Sequence, residues 1–109
     1  MSSRYLNSAI DRMDNERPKA TVALQRASRG GVAVTVTATD NRELRAIVFL
    51  DLSGNDRQMI TGRRLTGKSQ IVRQQLPAAL LSDGKGDFQI VIVDNGGNYT
   101  KINRTASKF

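Results

Sequence analysis

At 109 residues the chain has room for one domain, given the usual ~100–200 residues per domain. It contains no cysteine and no histidine, which removes disulfide frameworks, thiolate metal sites, and both the commonest general base and the commonest metal ligand. Seventeen Lys and Arg against ten Asp and Glu give a formal net charge of +7, a balance that suits polyanions and acidic protein surfaces alike.

The N-terminal stretch "SRYLNSAIDRMDNERP" places Leu6, Ala9, Ile10 and Met13 at helical spacing before Pro18. This predicts a short helical or extended docking arm over residues 1–18. A helix this short is marginal alone in water, so Leu6, Ile10 and Met13 are expected to rest on a surface of the same chain or of a neighbour. The arm has no apolar signal core, and the longest apolar runs, "AIVFL" and "IVIV", fall far short of the roughly 20 residues that span a bilayer. The expectation is a soluble chain without a signal peptide or a membrane partner.

From residue 19 onward the governing signal is period-two alternation broken by turn residues. "ATVALQRA" is a weak strand candidate at 20–27. "VAVTVTATDN" sets Val32, Val34, Val36 and Ala38 on one face and stops at Asp40-Asn41, as a half-buried strand does before a turn. "RAIVFLDLSGND" is a further strand ending in turn residues. "RQMIT" at 57–61 and "KSQIVRQQL" at 68–76 are weaker candidates. "DFQIVIVDNGGNYTKINR" reads as a hairpin across Asp94-Asn95-Gly96-Gly97, where Gly and Asn accept positive φ at little cost. Seven short strands at regular spacing, with no helical segments between them, predict an antiparallel β-sandwich over residues 19–104 and a C-terminal tail at 105–109.

One segment points elsewhere. "GRRLTGKS", residues 62–69, satisfies every fixed position of the phosphate-binding pattern G-x-x-x-x-G-K-[ST]. That pattern works only when a buried parallel strand feeds the loop and a helix follows it. Here "NDRQMIT" is too polar for such a strand, while Ile71-Val72 and Pro77 oppose a helix after Lys68-Ser69. The glycines are better placed at a tight connection between edge strands. The triplets Asn98-Tyr99-Thr100 and Asn103-Arg104-Thr105 fit the glycosylation pattern and are read as chance. Asp51, Asp56 and Asp94 lie near turns but lack the ligand spacing of a calcium loop, so neither a metal nor a cofactor is expected.

"VTVTATDN", "LRAIVFLDLSG" and "FQIVIVDNGGNYTKI" together resemble the family of bacterial immunoglobulin-like domains, in which a "tDN" strand end, an apolar "V-x-F" strand and a terminal "DN-x-GN" turn recur. "LLSDGKGDFQIVIVDNGGNYT" is also similar to the passage from strand E to strand G of intermediate-set immunoglobulin domains, with Phe88 where a tyrosine usually sits and Ile90 where the second cysteine sits. The resemblance covers residues 20–104. It implies an all-β, immunoglobulin-like antiparallel sandwich of about seven strands. The chain lacks both cysteines and the core tryptophan of the eukaryotic domains, which places it nearer the bacterial and viral relatives.

On this register Val32, Val34, Val36, Ile47, Phe49, Phe88, Ile90 and Ile92 point into the core. Alternation then turns Val48, Leu50, Val91 and Val93 outward as neighbours. Each is worth roughly 1.5–3 kcal/mol when fully buried, so an apolar contact over them is expected. The basic residues Arg63, Arg64, Lys68 and Arg73 fall in a stretch without acids, and Lys101 and Arg104 lie near the C-terminus. They are candidates for a nucleic-acid surface, which two tyrosines and three phenylalanines supply poorly with stacking partners. The resemblance, the docking arm and the basic charge lead to an expectation of a non-enzymatic virion protein of a bacteriophage, a capsid decoration or tail-associated subunit bound to a protein shell. The alternatives are a basic nucleic-acid-binding module and a cytoplasmic location.

Overall fold

The computed structural model describes residues 16–27, 30–52, 57–77 and 85–107. They form seven strands: β1 (Lys19–Arg26), β2 (Val32–Thr39), β3 (Leu44–Asp51), β4 (Gln58–Arg64), β5 (Ser69–Leu76), β6 (Lys85–Asp94) and β7 (Tyr99–Ser107). All pairings are antiparallel. One sheet has the order β1-β2-β5 and the other β4-β3-β6-β7.

Alternation sets the layers. Along β2, Val32, Val34, Val36 and Ala38 are fully buried, while Ala33, Thr35 and Thr37 between them are only half-buried. Ile47 and Phe49 of β3 and Phe88, Ile90 and Ile92 of β6 close on them from the facing sheet. All eight core residues expected from the sequence are buried. Leu44, Leu65, Val72, Leu76 and Ala106 complete the core, with Ala20, Val22, Leu24, Ile60 and Ile102 packed partly against it. β7 runs on through Ser107, past the boundary at residue 104 that the sequence pattern suggests, because Ala106 is buried and Thr105 is held to Asp87 by a hydroxyl-to-carboxylate bond of 2.6 Å.

The fourth strand pairs with β3 and not with the sheet of β1, β2 and β5. In the constant-type immunoglobulin arrangement that sheet has four strands and its partner three; here the numbers are reversed. The cause lies in the connection that follows β4. Leu65 is buried, and its amide donates to the Arg45 carbonyl at 2.7 Å. The carbonyls of Gly67 and Lys68 then accept from Leu44 and Asp40 at 2.8 and 2.9 Å. These bonds hold β4 beside β3 and hand the chain across the end of the sandwich to β5. Gly67 turns there at φ +74°, in the left-handed region that suits glycine.

At the same end the β6–β7 hairpin is locked from inside. Asp94 is fully buried, with Oδ1 accepting from the Asn98 amide at 2.8 Å and Oδ2 from the Asn98 side chain at 3.3 Å. Gly97, at φ +86°, closes the turn by donating to the Asp94 carbonyl. The β2–β3 turn uses the same chemistry: Asp40 Oδ2 accepts from the amides of Arg42 and Glu43 at 3.1 and 2.9 Å.

Candidate contact face on the four-stranded sheet

Pairing in the four-stranded sheet arranges its outer face in rows. The first row is Arg64, Ala46, Val93 and Tyr99, the second Gly62, Val48, Val91 and Lys101, and the third Met59, Leu50, Gln89 and Asn103. Val48, Leu50, Val91 and Val93 are therefore on the side away from the core, and each is half-buried. Val48 and Val91 are directly opposed, with Leu50 one step along β3 in one direction and Val93 one step along β6 in the other. The four form a diagonal stripe.

Two residues extend that stripe beyond what the pattern of valines and leucines reveals. Met59 lies opposite Leu50 at its lower end and is 67% exposed; Tyr99 lies opposite Val93 at its upper end and is 49% exposed. Gly62 lies between Met59 and Val48 in the sheet: a Cβ there would stand 3.8 Å from both Met59 Sδ and Val48 Cγ2, an ordinary van der Waals contact. Beside Tyr99, Lys101 Nζ sits 5.5 Å from the ring centroid, a cation–π geometry that leaves the ammonium at the rim.

The stripe ends on polar groups. Gln89 is buried, its Nε2 donating to Asn103 Oδ1 at 2.8 Å while Arg57 reaches its Oε1 at 3.5 Å. An open depression below them is lined by Leu52, Asp87, Asn103, Arg104 and Thr105. The resulting face has an apolar centre bordered by Arg64, Lys101 and Arg57.

The six basic residues do not share one surface. Arg64 and Lys101 flank the outer face of the four-stranded sheet from opposite edges. Arg73 is exposed on the outer side of the other sheet, opposite Thr35. Arg63 spans the sandwich at the β4–β5 side, its Nη2 donating to Gln74 Oε1 at 3.0 Å. Lys68 is exposed in the β4–β5 connection, and Arg104 donates to the Asn103 carbonyl near the end of β7.

The segment from Gly62 to Ser69 forms no phosphate cradle. It comprises the end of an antiparallel edge strand, a tight crossing and the first residue of β5, so that a strand and not a helix follows Lys68. Of the carboxylates weighed as calcium ligands, Asp56 lies outside the described residues, while Asp51 and Asp94 sit at opposite ends of the β3–β6 ladder. Leu6, Ile10 and Met13 of the N-terminal arm also lie outside the described residues. Pro18, the residue before β1, is fully buried, and its carbonyl accepts from the Thr100 hydroxyl at 2.6 Å. Pro18 therefore sits beside the upper end of β7, the strand that carries Tyr99 and Lys101.

No protein-family model matches this chain, and no curated protein does. Among solved structures it is similar to OgpA from Akkermansia muciniphila. The wild-type crystal structure superposes with a TM-score of 0.68 at 12% identity, and a catalytically inactive form in complex with an O-glycopeptide (glycodrosocin) substrate with a TM-score of 0.65 at 12% identity. Each match covers 87% of this chain and 30% of OgpA. At that identity the likeness is one of fold. A sandwich of this kind is thus built into a much longer chain.

Proposed function

We propose that this chain is a non-enzymatic structural module that docks onto a larger protein assembly through the outer face of its four-stranded sheet. The observation that carries the reading is the continuous stripe Met59, Leu50, Val48, Val91, Val93 and Tyr99, apolar at its centre and bordered by Arg57, Arg64 and Lys101. Such a face fits a partner whose surface is apolar in the middle and acidic at the rim. A bacteriophage shell or tail is the assembly that the immunoglobulin-like resemblance implies, with this chain as a decoration or tail-associated subunit. The occurrence of the same fold as a part of the longer OgpA supports a modular role and leaves the partner open to experiment.

Size-exclusion chromatography with light scattering, run on the purified chain and on the chain in its native source, tests the proposal. The expected result is co-migration with a large protein particle that is abolished by Val91→Lys. Co-migration with nucleic acid that survives Val91→Lys, or turnover of a small substrate by the purified chain, would overturn it.

A further inference from the structure

Among the described residues each sheet leaves two strand edges unpaired, and β7 is the longest of the four. β4 carries a register shift opposite Phe49 and Leu50 and is tied across the sandwich through Arg63 and Gln74. β5 stops at Pro77 and β1 starts after buried Pro18, so each is an unbroken edge of eight residues that a proline limits at one end. Bulges and prolines are the usual means of stopping an edge from pairing with another chain. β7 has neither. All nine of its residues pair with β6 without a register shift, and its sequence, "YTKINRTAS", has no proline or glycine and is rich in strand-favouring Tyr, Thr and Ile.

The direction of its backbone groups follows from the hairpin. Asp94 donates its amide to the Asn98 carbonyl at 2.9 Å, which makes that pair a hydrogen-bonded one. Hydrogen-bonded and non-hydrogen-bonded pairs alternate along an antiparallel ladder, so Thr100, Ile102, Arg104 and Ala106 turn their backbone groups toward β6. Tyr99, Lys101, Asn103, Thr105 and Ser107 present theirs to the open edge, where the Asn103 carbonyl accepts from Arg104 Nη1 at 2.8 Å, a side-chain bond that an added strand has to displace or share.

We propose that β7 is a dimerisation edge, on which a second copy of this chain adds its own β7 antiparallel about a two-fold axis at Asn103. An added strand must bring open-edge residues opposite open-edge residues, so the axis passes through a residue and not between two. Placed at Asn103, it pairs the whole of β7, with Tyr99 opposite Ser107 and Lys101 opposite Thr105. Arg104 then faces Ile102, and no like charges meet. An axis at Arg104 sets two guanidinium groups face to face, and one at Ile102 shortens the ladder. The strand is thus complementary to itself in one register, as a closed two-fold contact requires. The product is one eight-stranded sheet in which the two apolar stripes lie on the same side. This inference stands apart from the proposed docking face, since it uses the edge of the sheet and not its surface.

The dimer has a salt signature. Two chains of charge +7 repel, so screening tightens their association, the reverse of what salt does to binding a polyanion. Sedimentation velocity of the full chain over a range of concentration and salt is the experiment. The expected result is a monomer–dimer equilibrium that shifts toward dimer as salt rises. Lys101→Pro removes an amide that faces the open edge and takes nothing from the β6–β7 ladder. It should weaken dimerisation about tenfold or more, because symmetry deletes two backbone bonds at once, while the thermal transition of the monomer is retained. Asn103→Lys and Asn103→Asp should each be monomeric, and their equimolar mixture should restore the dimer by setting opposite charges across the axis. A wild-type chain that stays monomeric at its solubility limit in high salt would overturn the proposal. So would a dimer that survives Lys101→Pro, or homodimers of the two Asn103 variants as strong as their mixture. A dimer lost in Val91→Lys and kept in Lys101→Pro would move the contact onto the sheet face.

Discussion

Val48 and Val91 stand directly opposite each other on adjacent strands, and both turn away from the core that Ile47, Phe49, Ile90 and Ile92 fill. Their exposure is the direct consequence of burying their neighbours, because alternate residues of a strand cannot share a face. What that outward pair does is separable from what the inward residues do.

Paired substitutions show the separation. Phe49→Ala should destabilise the fold by about 3–5 kcal/mol, the usual cost of emptying a fully buried aromatic site. That is a large part of the roughly 5–15 kcal/mol by which domains are stable. Val91→Lys should change stability by less than about 1 kcal/mol, as surface substitutions do, yet abolish docking. Urea denaturation followed by circular dichroism, with particle co-sedimentation alongside, measures both. A Val91→Lys chain that unfolds as readily as Phe49→Ala would mean that the outer face is part of the folding core.

Lys68→Ala should alter neither nucleotide binding nor stability beyond about 0.5 kcal/mol, since Lys68 is exposed in a crossing between two sheets and a strand begins there in place of a helix. Equilibrium dialysis against magnesium–ATP checks it. Saturable binding lost in this variant would require a strand–loop–helix unit that the two-sheet topology does not contain.

The scattered cations make a prediction about salt. Neutralising several phosphates together needs basic groups on one surface, and Arg64, Arg73 and Arg104 belong to different faces or ends of the sandwich. Filter retention of duplex DNA at ~150 mM salt should therefore be negligible, without the log–log slope of about −0.9 per neutralised phosphate. Retention at that salt that disappears in Arg63→Ala/Arg64→Ala would show a nucleic-acid surface along β4.

β2, β3 and the β6–β7 hairpin were legible from apolar patterning and turn residues, and Val32 to Ala38 alternate without a break; β1, β4 and β5 stood out only weakly, since their apolar residues are fewer. The outward stripe followed from the same register. The sheet that β4 joins was not legible, because Gln58–Arg64 is mostly exposed and alternates weakly. Its place depends on bonds distant in sequence, such as the Leu65 amide to the Arg45 carbonyl. Met59 and Tyr99 were missed for a related reason. Each becomes part of the stripe only through the residue opposite, Leu50 or Val93, and that pairing is a property of the folded sheet. The end of β7 escaped notice because "TAS" carries no strong apolar signal, although Ala106 is buried.

The bond from Thr100 to the Pro18 carbonyl gives the last prediction. It joins the entry of the chain to the edge strand of the opposite sheet across 82 residues of sequence, at 2.6 Å and partly shielded from water. Thr100→Val keeps the shape of the side chain and removes the donor, so it should cost about 0.5–1.5 kcal/mol, with more if the Pro18 carbonyl is left buried and unpaired. Limited proteolysis should register the change first at the arm, with cleavage ahead of residue 18 accelerated and the sandwich itself still resistant. Deleting residues 1–17 leaves Pro18 and its bond in place, and so separates the anchor from the arm. If the arm rests on the stripe of its own chain, that deletion should lower the melting temperature and increase self-association; if it reaches a neighbour, the melting temperature should hold while docking is lost. Unchanged stability, solubility and docking after the deletion would remove the arm from both roles.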